Sequence, residues 1–492
     1  MTEAEHLQPG PQPDDRMQEP TAPDTLADAL AEHAVGEEEL RRRYGPFLVA
    51  INRAIAVMPN LYRYLPIHDV TISERSWLGR TRESHVCLPA DALNAIVPAS
   101  LDLPAGLLPW NRMKHYLAFA KISGSLGAKC NYCLIHDACY MGLRGVDALK
   151  IHLAGKRDTH PQDAENVFTP SEQIILDIGE ALGKIPCEMT PELADRLEQV
   201  FNDHKIEMLS WVWMLMGYLN RMTDGVKVPI EQSLLDTTAR AIAGTEGWWT
   251  PGKHAPKWDG LGEDDGIEWS PARDTFLAFL GLLPVAPALV RKSGHLVKDV
   301  PTRTRPLEMW LEQRTGYAWP EIALRRLKRP KRAAAAMVAA NSDPRRTVLG
   351  LVAKAQAGRV FAEEIGDPWL GHVTKLAEEH AWRVEQVQGP EYWQRIQGHA
   401  RRTQTPPVQG MGPAETGEKP FRADHSDAAM RMARAWATTP ADPGGAVIAE
   451  LKQDLTPAQL IEGMHNLAVL MAMHRFGAFW HAKKMADEKR VG

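Results

Sequence analysis

The chain has 492 residues, of which 44% are hydrophobic and 24% charged, and its formal net charge is −5. This length predicts two or three domains with an ample core, and the weakly acidic balance argues against nucleic acid as an obligate partner. Of the five cysteines, Cys87 and Cys187 are isolated in the sequence, so we expect no secreted disulfide framework.

The N-terminal residues 1–22 are rich in Pro, Asp, Glu and Gln, which predicts disorder. They lack the basic start and apolar run of a signal peptide. The longest apolar segment, 278–290, is too short to cross a bilayer and contains prolines. We therefore expect a cytoplasmic protein with no membrane partner. In such a reducing compartment a close pair of cysteines is typically catalytic or metal-binding.

From about residue 25 onward the sequence is typical of helices. Apolar residues recur at three- and four-residue spacing, as at Ile174, Ile175 and Ile178. Thr169 and Thr190 each precede a proline and acidic residues, which predicts helix starts there. Alternating β-branched runs are scarce, so the predicted fold class is all-α.

Two distant parts of the helical sequence resemble each other. Residues 171–182 (SEQIILDIGEAL) match 426–437 (SDAAMRMARAWA) at an offset of 255 residues, and the same offset pairs 206–207 with 461–462. Repeats of this kind indicate related structural units. The sequence therefore predicts a tandem duplication.

The predicted second copy lacks the cysteines of the first. At its corresponding positions Gly366 and Trp369 replace Cys130 and Cys133, and His372 remains. We therefore expect the second copy to be catalytically silent. The predicted units are a disordered segment at 1–22, a first domain at 23–242, a Trp/Gly/Pro-rich linker at 243–274 that docks on the protein, and a degenerate second domain at 275–492.

Three of the five cysteines lie in the stretch CNYCLIHDAC, which begins at Cys130. Cys130, Cys133, His136 and Cys139 follow one another at steps of three, and such spacing suits zinc or an iron–sulfur cluster. On one continuous helix, however, Cys139 lies on the face opposite Cys130, because each residue turns by about 100°. A metal ion would need further ligands from elsewhere and stays an alternative, as does simple core packing.

A redox pair requires fewer groups. Cys130 and Cys133 lie on adjacent turns of the predicted helix, where a disulfide needs little backbone movement. Amides at the helix start are expected to lower the pKa of one thiol of the pair. His136 and Asp137 lie beside the two cysteines and are candidates for the proton relay.

Three stretches together resemble the alkylhydroperoxidase D-like (carboxymuconolactone decarboxylase-like) family. They are the CxxCxxH motif at 130–136, the text FTPSEQIILDIGEAL at 168–182, and the apolar run at 206–228. That run ends in the pattern Asn-Arg-x-x-Asp-Gly, which consists here of Asn220, Arg221, Asp224 and Gly225.

The resemblance covers residues 45–240, and residues 275–485 more weakly through the repeat. It implies an all-α fold, a homo-oligomer, no cofactor, and peroxide attack by Cys133 with Cys130 as the resolving thiol. His136 would belong to the proton relay. The implied substrates are a small-molecule hydroperoxide or disulfide, and the implied electron donor is a thioredoxin- or lipoyl-like partner.

One element of the family pattern is missing. Its redox members carry a Glu about three turns before the first cysteine, near Ala118 here, and no acidic residue occurs between Asp102 and Cys130. His115 or Asp137 could substitute for it, although a His in an apolar run is also typical of a buried structural histidine.

The missing Glu leaves other functions open. One alternative is a non-redox carboxymuconolactone-decarboxylase-like enzyme acting on a small carboxylated compound, with His136 or His115 as acid and base. Others are a metal-dependent enzyme that uses the Cys/His cluster and a non-catalytic assembly protein.

Overall fold

A computed structural model of the chain describes residues 24–40, 42–43, 60–75, 81–100, 113–156, 167–232, 234–235, 251–257, 296–398 and 425–491. These residues are mostly helical, which confirms the predicted all-α class. The predicted disordered segment and the four tryptophans of the predicted linker lie outside the described residues. In the described part of the chain, no helix is both long and apolar enough to cross a bilayer.

The helices up to residue 226 include three long ones that build the site described below. In chain order they are α1 (Leu26–Leu30), α2 (Leu61–Tyr64), α3 (Leu88–Ser100), α4 (Met113–Gly127), α5 (Asn131–Leu143), α6 (Ala148–Lys156), α7 (Pro170–Gly183), α8 (Pro191–Glu198) and α9 (Asp203–Val226).

The helices after residue 296 end in a single long C-terminal helix. They are α10 (Thr304–Thr315), α11 (Pro320–Ala323), α12 (Lys328–Asn341), α13 (Leu351–Glu364), α14 (Pro368–Gln386), α15 (Pro390–Gly398), α16 (His425–Ala435), α17 (Gly445–Asp454) and α18 (Pro457–Val491). Short 3-10 turns lie at Ala31–His33, Leu65–Ile67 and Gly252–His254.

Both predicted helix starts are confirmed. The Thr169 hydroxyl accepts the backbone N–H of Glu172, whose carboxylate accepts the N–H of Thr169 in return, and Pro170 occupies the first turn. The Thr190 hydroxyl accepts the N–H of Leu193 at the start of α8. Such caps satisfy amides that have no partner inside the helix.

A β-hairpin interrupts the helices, which the scarcity of strand patterns did not predict. Strand β1 (Val70–Arg75) pairs antiparallel with β2 (Thr81–Val86). The alternation of apolar residues places one face of the hairpin inward. That face joins a small apolar cluster with residues distant in sequence: Val70, Ile72, Val86, Val348 and Ala458.

The centre of the fold is the packing of α9 on α18. The Trp211 ring stacks on Phe476 with 4.4 Å between ring centroids. A Cβ atom added to Gly217 would lie 2.8 Å from the Met471 carbonyl oxygen and 3.0 Å from Ala472 Cα, so the two backbones approach closely. One hydrophobic core contains residues of both halves of the chain. These apolar helices therefore cover each other and do not need a second chain, and the homo-oligomer stays a prediction from the resemblance.

Helix pairs in the two halves correspond in the way that the sequence repeat predicts. Helix α4 packs on α7 in the first half, and α13 packs on α16 in the second, while the matched helices α9 and α18 pack on each other. The correspondence supports the tandem duplication, which stays a prediction.

The close approach at Gly217 gives the first test. Gly217→Ala should lower the free energy of unfolding by about 1–3 kcal/mol, because the new methyl group meets backbone atoms of α18 that cannot rotate away. Gly371→Ala on α14 is the matched control. A Cβ at Gly371 meets no atom within 4 Å, so that variant should gain up to about 1 kcal/mol from helix propensity. Urea unfolding of both variants measures the difference, and equal stability would contradict the packing.

Candidate active site

The first cysteine of the motif lies at the start of a helix. Lys129 has a positive φ of 52°, which turns the chain out of α4, and Cys130 is the N-cap of α5. The backbone N–H of Cys133 donates to Cys130 Sγ at 3.4 Å. The sulfur thus takes the place of the oxygen that usually caps a helix, and a helix-start amide supports negative charge on it.

One hydroxyl group contacts both sulfurs of the motif. Thr223 Oγ1, on α9, lies 3.5 Å from Cys130 Sγ and 3.1 Å from Cys133 Sγ. The hydroxyl donates its own hydrogen to the Leu219 carbonyl oxygen at 2.9 Å. Because a hydroxyl has a single hydrogen, its oxygen is left to accept from the thiols.

Burial dominates the electrostatics of the pair, since both cysteines are fully buried. Burial raises the pKa of the Cys133 thiol well above its usual value, and Cys130 and Asp137 act in the same direction. Cys133 is therefore not a thiol of lowered pKa, because the helix amide goes to Cys130 and the loss of water outweighs the remaining contacts.

A buried glutamate that the sequence did not reveal contacts His136. His136 Nδ1 lies 2.8 Å from the Tyr132 carbonyl oxygen, and Nε2 lies 3.1 Å from Glu231 Oε2. The other oxygen of Glu231 accepts the Tyr132 hydroxyl at 3.2 Å and the Asn60 N–H at 2.9 Å. His136 Nε2 and Glu231 Oε2 have no hydrogen-bond partner of ordinary geometry among the described residues, so these two buried polar atoms face each other at ion-pair distance.

Asp137 belongs to a second buried polar group behind the cysteines. Its Oδ2 accepts the Ser125 hydroxyl at 2.6 Å, and its Oδ1 lies 3.1 Å from Lys121 Nζ. Lys121 Nζ also lies 4.1 Å from the centroid of the Tyr140 ring. Burial raises the pKa of Asp137, while Lys121 and Ser125 oppose this shift.

His115 lies outside this cluster. It is partly buried on α4 and hydrogen-bonds to the backbone of Arg144, and burial together with Lys114 lowers its pKa. A partly buried histidine that bonds to the backbone in this way is typical of a structural role. Cys139 is buried, and burial raises the pKa of its thiol. Among the described residues, no group of three or more His, Cys, Asp or Glu side chains is placed to hold a metal ion.

The polar residues of the Asn-Arg-x-x-Asp-Gly pattern connect α9 to distant segments. Asn220 donates to the Gly124 carbonyl oxygen at 2.8 Å. The Arg221 guanidinium donates to the carbonyl oxygens of Trp436 and Thr438 in the second half. These residues therefore hold the site helix against its neighbours.

A short piece of the predicted linker lies over the first turn of the motif helix. A Cβ atom at Gly252 would lie 3.4 Å from Asn131 Nδ2, and the His254 ring centroid is 5.7 Å from that of Tyr132. His254 is fixed by the Val228 carbonyl oxygen at 2.6 Å and by Asp224 Oδ1 at 3.2 Å. Residues 251–257 thus pack on α5 and α9, and the linker at 243–274 stays a prediction.

The second half has a helix start of the same geometry but different chemistry. Gly366 has a φ of 70°, and Asp367 is the N-cap of α14, with its carboxylate accepting the Leu370 N–H at 3.0 Å. In structure, Asp367 therefore corresponds to Cys130, one residue later than the sequence match indicated. His372 is exposed on α14, unlike the buried His136.

Four residues of the site were not predicted from the sequence. Thr223 lies inside the Asn-Arg-x-x-Asp-Gly pattern of α9, so the pattern could have indicated it. Tyr132 and Lys121 lie on the expected helices, but only packing gives them their partners. Glu231 follows α9 in a non-helical segment and carries no periodic signal.

Comparison with family models, with curated proteins and with solved structures found no match to this chain.

A substitution of Asp224 tests whether residues 251–257 are held to α9. Burial opposes ionisation of its carboxylate, but the hydrogen bond from His254 and the charge of Lys227 outweigh it, so its pKa lies below the usual value. Asp224→Asn should lower the free energy of unfolding by about 3–5 kcal/mol, because it leaves Lys227 buried without its counter-charge. It should also speed amide hydrogen exchange at 252–254.

The control is an exposed ion pair on the same segment. Lys253 pairs with Asp442 at 2.7 Å, and Asp442→Asn should lower the free energy of unfolding by less than about 1 kcal/mol.

The stability that Asp224 contributes should be present above the pKa of an unfolded Asp, about 3.9. It should be lost as the pH falls through the lowered pKa of Asp224 in the folded protein. Unchanged exchange at 252–254 in Asp224→Asn would contradict the docking.

Proposed function

We propose that the protein is a thiol-dependent oxidoreductase that reduces hydroperoxides or disulfides through Cys130 and Cys133. The observation that carries the proposal is the convergence of both sulfurs on one atom, Thr223 Oγ1, at the start of one helix. The backbone N–H of Cys133 also donates to Cys130 Sγ, which ties the two residues together at the helix start. Sulfurs in this arrangement can form a disulfide with a small local movement.

The reaction balances with an external dithiol. One thiolate attacks the peroxide oxygen, the O–O bond breaks, and the departing alkoxide takes a proton to leave as an alcohol. The sulfenic acid is then attacked by the second thiol, which releases water and forms the Cys130–Cys133 disulfide. A thioredoxin- or lipoyl-like dithiol returns the pair to thiols and is itself oxidised.

Glu231 supports this proposal because it supplies the acid that the sequence lacked near Ala118. Its Oε2 lies 3.1 Å from His136 Nε2, and His136 follows Cys133 by three residues. A buried pair of this kind can give a proton to a leaving group and take one back. In this proposal Glu231 therefore takes the role that His115 and Asp137 were considered for.

Access to the sulfurs requires the site to open. Both thiols are fully buried, and burial raises the pKa of Cys133, so the closed site holds the Cys133 thiol protonated. The segment at 251–257 lies over the start of α5 and is held to α9 by His254. In this proposal its release lets water and substrate reach the pair, and the thiol becomes reactive when its burial is relieved.

The test is oxidation of the purified chain by mild peroxide, followed by peptide mass spectrometry. The peptide spanning 130–133 should lose two hydrogens and regain them with dithiothreitol, while Cys139 stays a thiol. The resemblance assigns the attack to Cys133, whereas the helix amide favours a thiolate at Cys130. The variant that retains the attacking sulfur should trap a sulfenic acid, so Cys130→Ser and Cys133→Ser distinguish the two.

Controls separate chemistry from packing. Cys139→Ser changes an equally buried thiol of the same helix and should leave disulfide formation intact. Glu231→Gln should slow peroxide consumption about 10²-fold or more, the usual contribution of a positioned acid or base. Peroxide-treated protein with no disulfide, or stoichiometric zinc or iron lost in either cysteine variant, would contradict the redox proposal.

The second half is expected to be silent in this reaction. His372 is exposed on α14, and the helix start beside it carries Asp367 in place of a cysteine. His372→Ala should therefore leave peroxide and disulfide activity within about threefold of wild type, below about 1 kcal/mol. Loss of activity in a stably folded His372→Ala protein would show that the second half takes part.

A further inference from the structure

A small cavity lies between helices of the second half of the chain. It has a volume of about 70 Å³ and is lined by residues of α12, α13, α14 and α18, together with Thr315 and Trp319. All of its lining residues follow residue 314 in the sequence, whereas the thiol site lies on α5 and α9. The ligand that suits this cavity is therefore set by its own walls.

Most of these walls are apolar. Val338, Leu351, Val469 and Leu470 line the cavity, and all four side chains are buried. Gly358 also lines it, and a Cβ atom there would lie 3.1 Å from Leu470 Cδ1, so even one added methyl group would crowd this wall. Cavities with such walls hold water poorly and favour a ligand with a hydrocarbon part.

The volume limits the size of that ligand. An engineered apolar cavity of about 150 Å³ in another protein takes one benzene molecule. This cavity has less than half that volume, which suits a ligand of roughly three to five non-hydrogen atoms. Ser342, Ala377 and His380 are lining residues that are partly exposed, so the cavity can be reached from solvent.

One polar atom among the walls lacks a partner, and a chain of hydrogen bonds fixes its identity. The Lys354 carbonyl oxygen can only accept, and it receives Asn466 Nδ2 at 3.1 Å. Asn466 Oδ1 then accepts from Asn341 Nδ2 at 2.9 Å. This order leaves Asn341 Oδ1, which is buried and has no hydrogen-bond partner among the described residues. Because the chain of bonds starts at a carbonyl, neither amide can be turned round.

The charges at the cavity disfavour an ionic ligand. Lys354 is one of the lining residues, so its ammonium disfavours a cation. That ammonium is already paired with Glu462 at 2.8 Å and donates to the Asn341 carbonyl oxygen at 2.5 Å, so it is not a free counter-charge for an anion. The unpartnered oxygen of Asn341 accepts only, and a carboxylate has no hydrogen to give it. A neutral molecule with a donor group is left.

We propose that this cavity binds a small neutral alcohol, whose hydroxyl donates to Asn341 Oδ1 and whose hydrocarbon part lies against Val469 and Leu470. Such a ligand supplies the partner that a buried acceptor lacks and covers the apolar walls at the same time. The site is separate from Cys130 and Cys133 and does not rest on the proposed thiol chemistry.

The test is a titration of the full chain with n-butanol, followed by NMR of isotope-labelled Val and Leu methyl groups. The methyl signals of Val338, Leu351, Val469 and Leu470 should shift and saturate with a dissociation constant in the millimolar range. The methyl signals of Leu117, in the first half, should stay in place. Methyl propyl ether has the same atoms as n-butanol but no donor. It should bind at least about fivefold more weakly, because its oxygen would face the amide oxygen without a hydrogen between them.

Three variants test the place and the hydrogen bond. Ala377→Leu fills the cavity from α14 and should abolish the saturable shifts. Lys375→Leu adds the same side chain at an exposed position of α14 and, as the matched control, should bind n-butanol as the wild type does. Asn341→Leu removes the acceptor and should bring the affinities for the alcohol and the ether within about twofold of each other.

Shifts that do not saturate, or that spread to methyl groups of the first half, would overturn the proposal. So would equal binding of the alcohol and the ether by the wild-type chain, or unchanged binding of n-butanol by Ala377→Leu. If Asn341→Leu fails to fold, these results decide without it. The absence of a disulfide between Cys130 and Cys133 would leave them unchanged, since none of them involves a thiol.

Discussion

The burial of α9 from Ile206 to Val226 is the constraint on which the rest of the structure depends. A helix without water on any side must find protein partners for each of its polar side chains. Asn220, Arg221, Thr223 and Asp224 cluster in its last two turns, and each of the four has a partner outside the helix. Their partners lie in other segments. The hydrogen bonds of these side chains therefore set the positions of the segments that pack around α9.

The cysteine pair is held in place by polar side chains of the same helix, α9. Thr223 uses its hydrogen inside α9 and offers its oxygen to both sulfurs, while Asn220 holds α4 just before the motif begins. The site is thus assembled from a helix start on one side and a buried helix on the other. Such a site is rigid, since a shift of either element would leave several polar groups without partners.

Features that depend on neighbouring residues could be predicted from the sequence, whereas contacts between distant residues could not. Helix caps at Thr169 and Thr190 depend on residues within one turn, and a sequence displays these directly. The spacing that places Cys130 and Cys133 on the same first turn of α5 is equally visible in the sequence. Glu231 lies 95 residues from His136, in a segment without periodicity, and only tertiary packing brings them together. The burial that raises the pKa of Cys133 is likewise a property of the assembled fold, so the sequence alone could not reveal it.

Asp224 carries two attachments on one carboxylate. Its Oδ1 accepts from His254 in the segment over the motif helix, and its Oδ2 accepts the backbone N–H of Ala441 from the second half of the chain. Because the two attachments share a group, the effect of the first on the free energy of the second equals the effect of the second on the first. Loss of the contact with Ala441 would therefore also change how firmly the segment at 251–257 is held over the motif helix.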